Sequence, residues 1–192
     1  MMQKGELENL HTAEKSYQIS KFDPEQDRSK YSQFLDEFIK LYPAMTLRSP
    51  EYLKWRYLTI PTRSYNLLKV TKGERFLGYC VLRGRKVTGL NAGFIVDICG
   101  LQDIEARKGM DMMVKSVKNY FRQKNYDVIG CMVSENSIEN KILRKHWFFN
   151  VPKKLLPHEA PVICRINKAF KSSETVTNIS SWFITFGDYD VM

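Results

Sequence analysis

The chain has 192 residues, of which 43% are apolar, 27% charged and 12% aromatic. That is enough to close a hydrophobic core, and it excludes a disordered tail or a repeat array. The longest apolar runs, Phe94 to Cys99 and Trp182 to Phe186, are far too short to cross a bilayer. The polar start Met1-Met2-Gln3-Lys4-Gly5-Glu6 lacks the apolar segment of a secretory signal, so the expectation is a cytoplasmic protein with no integral membrane segment. Thirty Lys and Arg against 21 Asp and Glu give a net charge of +9. Residues 1 to 60 carry nine of each sign, so the whole surplus lies in residues 61 to 192. Such a field attracts nucleic acid, an anionic surface or a phosphate-rich cofactor, and charge alone does not choose among them.

Residues 1 to 15 have no apolar period and are expected to be a flexible lead-in, with a single domain over residues 16 to 192. Tyr17 to Phe22 alternates as a short strand. Asp23-Pro24-Glu25-Gln26 supplies a helix start, and Tyr31, Phe34, Leu35, Phe38 and Leu41 fall on one helical stripe that stops near Pro43. Ser49-Pro50-Glu51 starts a second, short helix that carries Tyr52, Leu53, Trp55, Arg56 and Tyr57. The period then changes to that of strands: Tyr65 to Thr71, a Lys72-Gly73 turn, Phe76 to Leu82, and Gly89 to Leu101, read as three consecutive antiparallel strands.

Met110, Met113, Val114, Val117 and Phe121 mark one face of a helix predicted to start near Gly109, with Lys115, Lys118, Arg122 and Lys124 on the rest. Tyr126 to Val133 reads as a buried strand, and Ser134-Glu135-Asn136 as the start of a short helix that ends near His146. Pro161 to Ile166 and Trp182 to Phe186 supply two more strands, and Lys171 to Thr177 reads as a mobile loop. Strands and helices interleaved in this order predict an α+β (mixed α/β) domain around one central, mostly antiparallel sheet.

The four cysteines, Cys80, Cys99, Cys131 and Cys164, stand singly in apolar runs and are expected to be buried free thiols. His11, His146 and His158 form no triad spacing. The candidate site is the junction from Gly93-Phe94-Ile95-Val96-Asp97-Ile98-Cys99-Gly100-Leu101 into Gly109. A strand that delivers the chain to a helix start aims unsatisfied N–H groups outward, where a phosphate binds. Asp97 lies inside an apolar strand, so it is either a base or substrate contact or the partner of a basic neighbour. Asp188 and Asp190 follow the last strand in a Gly-Asp-x-Asp turn, suited to a substrate amine or hydroxyl or to an exposed turn. Lys141, Arg144, Lys145, Lys153 and Lys154 form a basic run with no intervening acid.

This order of elements, with that junction, resembles the GCN5-related N-acetyltransferase (GNAT) family. In that family a Gln/Arg-x-x-Gly-x-Gly/Ala loop binds the pyrophosphate of acetyl-CoA at a helix N-terminus. Aligning Gly109 with the first glycine puts Ala106 in the Gln/Arg position and Asp111 in the final small-residue position. The segment from Tyr126 to Asn136, followed by Trp147-Phe148, is similar to the family's strand, Asn-headed helix and closing Gly-Phe. Leu143 stands where the family often has a tyrosine that protonates the CoA thiolate. Ser49 to Tyr57 and Trp182 to Asp190 resemble segments of acetyltransferase-like proteins of bacterial surface-polysaccharide synthesis.

The resemblance implies a GNAT-like twisted sheet flanked by helices and acetyl-CoA as cofactor, with transfer to an amino sugar or other small amine. Pantetheine would lie against Ile98, Cys99, Gly100 and Leu101, and pyrophosphate at Arg107, Lys108, Gly109 and Met110. Asn136 would contact the cofactor, Asp97 would serve as base, and Trp55, Asp188 and Asp190 would face the substrate. The expected partner is a small-molecule amine; a homodimer is allowed, and nucleic acid is not expected. The alternative is a non-catalytic module of this fold that binds a polyanion through its basic face.

Overall fold

The computed structural model describes residues 16–152 and 177–189. The expected strands at Pro161 to Ile166, the loop at Lys171 to Val176, and Cys164, His11, His158, Lys153, Lys154 and Asp190 lie outside those residues. Five strands form the main sheet in the order β1-β3-β4-β5-β6: β1 Tyr17–Lys21, β3 Asn66–Lys72, β4 Arg75–Val87, β5 Leu90–Gly100 and β6 Val128–Cys131. The first three pairings are antiparallel and β5 with β6 is parallel, as the mostly antiparallel sheet expected from the sequence requires. A small second sheet, which the sequence does not signal, pairs β2 (Ala44–Met45) with β7 (Trp182–Phe183) in parallel.

The helical stripe of α1 (Arg28–Phe38) buries Tyr31, Phe34, Leu35 and Phe38. The rings of Tyr31 and Phe34 pack on Phe22, Phe76 and Tyr79 with centroids 5.0 to 6.1 Å apart, in the tilted and edge-on geometries that aromatic quadrupoles favour. Asp23 caps a turn, accepting from Glu25 N and Gln26 N, and α1 proper begins five residues later. Ser49 caps α2 (Pro50–Leu53), as the sequence predicts, by accepting from the Tyr52 N–H. The chain then widens into a π-helical turn over Lys54–Leu58.

The other face of the sheet is covered by α3 (Ile104–Gln123), whose buried stripe includes Met110, Met113, Val114, Val117 and Phe121. Phe76 meets α1 while Leu77 approaches Gly109 of α3, as neighbours on a strand must point to opposite faces. Gly84 and Gly93 face each other across β4 and β5, and the rings of Tyr126 and Phe121 lie where their Cβ atoms would be. A Cβ on Gly84 would fall 1.8 Å from the Tyr126 hydroxyl, and one on Gly93 would fall 2.5 Å from Phe121 Cδ1. This pair lets the end of α3 sit close on the sheet. The helix α4 (Ile138–Lys145) turns Ile142 and Leu143 inward.

One irregularity shapes the rest. The register of β4 with β5 shifts between Val81 and Leu82, so that Val96 has no partner between Ile95 and Asp97. Such a bulge bends the strand and re-aims the side chains that follow. The last paired residues of β5 and β6 are Ile95 and Cys131, so the two parallel strands part at that bulge. Beyond it, β6 hands over to a single bridge between Val133 and Thr185.

Overpacking cores typically costs about 1–3 kcal/mol, so Gly93→Ala is expected to lower stability by about 2 kcal/mol in urea unfolding. Gly93→Ala combined with Phe121→Leu should recover part of that loss.

Candidate functional site

The bulge places Asp97 in the interior, fully buried. Its carboxylate accepts from Arg48 Nε at 3.0 Å, Thr185 Oγ1 at 2.9 Å, Tyr79 Oη at 3.0 Å and Tyr57 Oη at 3.3 Å. Its Oδ1 also takes the Ile98 N–H at 3.1 Å. Arg48 is equally buried and divides its remaining donors between Thr46 O, Thr185 Oγ1 and Asp188 Oδ2, at 3.0, 3.1 and 2.8 Å. Its guanidinium stacks 5.1 Å from the centre of the Phe183 ring. Burial opposes the Arg48 charge, but Asp97 together with the other groups around it, Asp188 among them, holds the guanidinium pKa above its ordinary value. Burial first, and then Asp97, push the Tyr57 and Tyr79 hydroxyls up, so both stay protonated and donate.

Asp97, expected as a base or as the partner of a basic neighbour, is placed here as a buried carboxylate surrounded by donors, with Arg48 beside it. The partnered alternative is the one realised. Asp188 is also turned inward. Its Oδ2 takes Arg48 and the Thr185 N–H and closes a capping box with Thr185, while its Oδ1 is buried without a hydrogen-bond partner. Trp55 is 61% exposed and packs beside Tyr52, and no described contact joins it to Asp97 or Asp188.

The residues expected at the cofactor fall at two places, the start of α3 and the edge of β5. The helix does not start near Gly109. It starts at Ile104 with Asp103 as N-cap, whose Oδ1 accepts from the N–H groups of Glu105 and Ala106, both at 3.1 Å. Arg107, Lys108, Gly109 and Met110 therefore lie inside the helix, where main-chain N–H groups bond to the preceding turn; Arg107 N already bonds Asp103 O. Gly109 is buried against Leu77, Val70 and Tyr17, and Met110 lies beneath Gly78 and Gly100. The Arg107 and Lys108 side chains are exposed. Partial burial works against ionisation of Asp103, but the Ala106 N–H and the Arg75 guanidinium hold its carboxyl below the usual range. Asp111 points away from the helix start, pairing with Lys145 at 2.7 Å and with His146 at 3.1 Å.

At the strand edge, Leu101 N bonds Leu77 O on the β4 side, so the Gly100 N–H points to the side where β6 has departed. There it meets Glu139 Oε1 at 3.0 Å, while Tyr42 Oη donates to Glu139 Oε2 at 2.9 Å. Glu139 is fully buried. Burial pushes its pKa up to about 7, against the opposing hydrogen bonds from main-chain N–H groups and Tyr42. The Ile98 N–H is taken by Asp97, and Cys99 Sγ donates to Tyr79 Oη at 3.3 Å. Cys80 and Cys99 are buried free thiols, as expected, and Cys131 is half-buried.

Asn136 does not cap α4; Ser137 does, accepting from the Asn140 N–H. Asn136 is exposed on the wall of a cavity of about 320 Å³ beyond β6, formed with Met132, Val133, Ile179, Ile184 and Tyr189. Sequence reasoning missed Arg48 and Glu139. Both had a signal. A carboxylate in an apolar strand demands a cation, and Glu139 is spaced three and four residues from Ile142 and Leu143, on the buried face of the helix.

No family model and no curated protein sequence matches the chain. Solved structures do. A ribosomal-protein-alanine N-acetyltransferase from Brucella melitensis biovar Abortus 2308 superposes with a TM-score of 0.57 at 12% identity, over 79% of this chain and 99% of that one. A probable acetyltransferase gives 0.56 at 14% identity, over 77% and 99%. A glucosamine-6-phosphate N-acetyltransferase from Arabidopsis thaliana gives 0.50 at 13% identity, over 79% and 98%. The chain has the GNAT fold. The acetyl-CoA that this fold implies does not fit the residues present. Asp103 holds the N–H groups of Glu105 and Ala106, Glu139 holds that of Gly100, and Asp97 holds that of Ile98.

Breaking a buried ion pair from one side costs about 3–5 kcal/mol, so Arg48→Met is expected to lose that much in chemical denaturation. The double variant Arg48→Met/Asp97→Asn should lose less than Arg48→Met alone. A second expectation concerns pH. A carboxyl whose folded pKa is raised binds its proton more tightly when folded, so its contribution is intact below the unfolded value of 4.5 and lost as pH rises toward about 7. Wild-type stability should fall through that window by roughly 3 kcal/mol more than that of Glu139→Gln.

Proposed function

We propose that this chain is a non-catalytic module of the GNAT fold that binds a polyanion through the outer face of α3 and α4. The observation that carries this reading is the closed groove: carboxylates of the chain itself hold the N–H groups of Ile98, Gly100, Glu105 and Ala106. A phosphate diester would have to displace Asp103, whose negative charge already complements the positive end of α3. Among the described residues, no helix is long and apolar enough to cross a membrane.

The basic face supplies the partner chemistry. Arg107, Lys115, Lys118 and Arg122 recur along one side of α3 at helical spacing, and Lys141, Arg144 and Lys145 are exposed on the adjoining α4. Asp111 offsets Lys145, and the other two acids of these helices leave the rest of that charge uncancelled. Glu105 pairs with Lys72 at the far end, Glu139 is buried, and Asp111 is held by Lys145 and His146. A linear acidic polymer, such as a bacterial surface polysaccharide, matches a stripe of this kind.

A second reading, acetyl transfer from acetyl-CoA to an amino sugar or other small amine, is favoured by one observation. Asn136 stands free at the mouth of the cavity beyond β6. That reading requires Glu139 to leave the strand edge.

The test is fluorescence anisotropy with a labelled acidic oligosaccharide. Affinity is expected to fall at least tenfold between about 50 and 200 mM salt, because released counterions drive such binding. It should also weaken several-fold in the Lys115→Gln/Arg122→Gln variant. Affinity that is flat with salt overturns the polyanion reading, and acetylated glucosamine formed from acetyl-CoA would establish the second.

A further inference from the structure

We propose that Trp147, Phe149 and Val151, with the basic residues around the end of α4, form a face that docks on an anionic lipid surface. This goes beyond the polymer reading above and does not depend on it.

The helix α4 closes in a turn where the Trp147 N–H bonds Arg144 O at 3.0 Å and the Phe148 N–H reaches back to Leu143 O at 3.2 Å. Trp147 takes the left-handed position of that turn, with a φ of 68°. A β-carbon is penalised there, and glycine is the preferred residue. The bulky ring is kept at this position although it adds little to the core, since Trp147 is 86% exposed. Phe148 packs on the core, Phe149 beyond it is again 84% exposed, and Val151 follows at 52%. Single exposed apolar residues are ordinary, but three in close succession beside a strained turn mark a surface built to meet something.

The surrounding charge selects the partner. Lys118 Nζ donates to His146 O at 2.7 Å, one residue before Trp147, and Lys141, Arg144 and Lys145 are exposed on α4. Asp111 offsets Lys145, Glu139 is buried, and Glu135 lies beyond the opposite end of the helix. The balance beside the rings is therefore positive. Aromatic rings flanked by Lys and Arg suit the headgroup layer of a bilayer, where rings settle at the interface and cations meet the lipid anions. Val151 sets this apart from stacking on a base or a sugar, because an aliphatic side chain has no flat face and gains only by leaving water. Among the described residues no helix is long and apolar enough to cross a membrane, so the contact lies on the surface. Each basic residue close to an anionic leaflet contributes roughly fivefold in affinity.

Co-sedimentation of the full chain with phospholipid vesicles tests this. Phosphatidylcholine vesicles with about 30% phosphatidylserine should bind it about tenfold or more tightly than phosphatidylcholine alone, and its tryptophan emission should move to shorter wavelength. Trp147→Gly/Phe149→Ser should lose about tenfold or more of that affinity, together with the emission shift, and should keep the wild-type affinity for the labelled oligosaccharide. Trp147→Gly alone should raise the urea midpoint, since glycine relieves the left-handed position, while it weakens vesicle binding.

No binding to the anionic vesicles, or equal binding to neutral ones, overturns the inference. So does a double variant that binds vesicles as tightly as wild type, or a Trp147→Gly midpoint below that of wild type, which would make the ring a structural element. A wild-type dimer that the double variant abolishes in analytical ultracentrifugation would assign the ridge to a second copy of the chain. Oligosaccharide affinity lost in that variant would assign it to the polymer, and either result overturns lipid docking. Vesicle binding by a wild type that ignores the oligosaccharide supports the docking face and overturns the polymer reading alone.

Discussion

The ion pair between Arg48 and Asp97 holds the structure to one arrangement. Neither partner reaches solvent, and between them they engage Thr46, Tyr57, Tyr79, Thr185 and Asp188. The pair thus joins the segment before α2, the central strands and the residues after β7, which are far apart in sequence. Two buried charges repay their desolvation only when nearly every lone pair and proton is matched, and here the matching comes from hydroxyls kept protonated by their own burial. The network constrains more than it stabilises. The closing segment must return to the bulge of β5, because only there does Thr185 meet both charges.

The same bulge opens the sheet and creates the need that Glu139 meets. Once β5 and β6 part, the strand edge presents main-chain donors to the interior, and some acceptor must come to them. In the fold to which this chain is similar, that edge is where a cofactor is expected to lie. Here the acceptors are side chains one helix away. The start of α3 follows the same logic: Asp103 is an N-cap, and an N-cap uses the N–H groups that an anion would otherwise take. Acidic caps stabilise helices cheaply. At this junction the cap also takes two N–H groups of the helix start.

The sequence was legible wherever a local rule governs. The stripe Tyr31, Phe34, Leu35 and Phe38, the Ser49-Pro50 helix start, the three strands after Ser64 and the inner face of α4 at Ile142 and Leu143 all follow from side-chain period and capping chemistry. A helix boundary placed at a glycine puts the start of α3 five residues too late. Gly109 instead serves close packing on Leu77 and Val70, and the aspartate at 103 was the true signal. The short pairing of Ala44–Met45 with Trp182–Phe183 left no trace, since two residues carry no period.

What the sequence alone determined is the α+β layering, the excess of charge in the second two-thirds, and the fact that Asp97, set in an apolar strand, is committed to one of two roles. Which role it takes was decided by tertiary structure. A partner's identity depends on three-dimensional proximity, and Arg48 is 49 residues away. The closure of the groove was decided in the same way. Period puts Glu139 on the buried side of its helix, but only the parting of two strands gives its carboxyl a main-chain donor to satisfy.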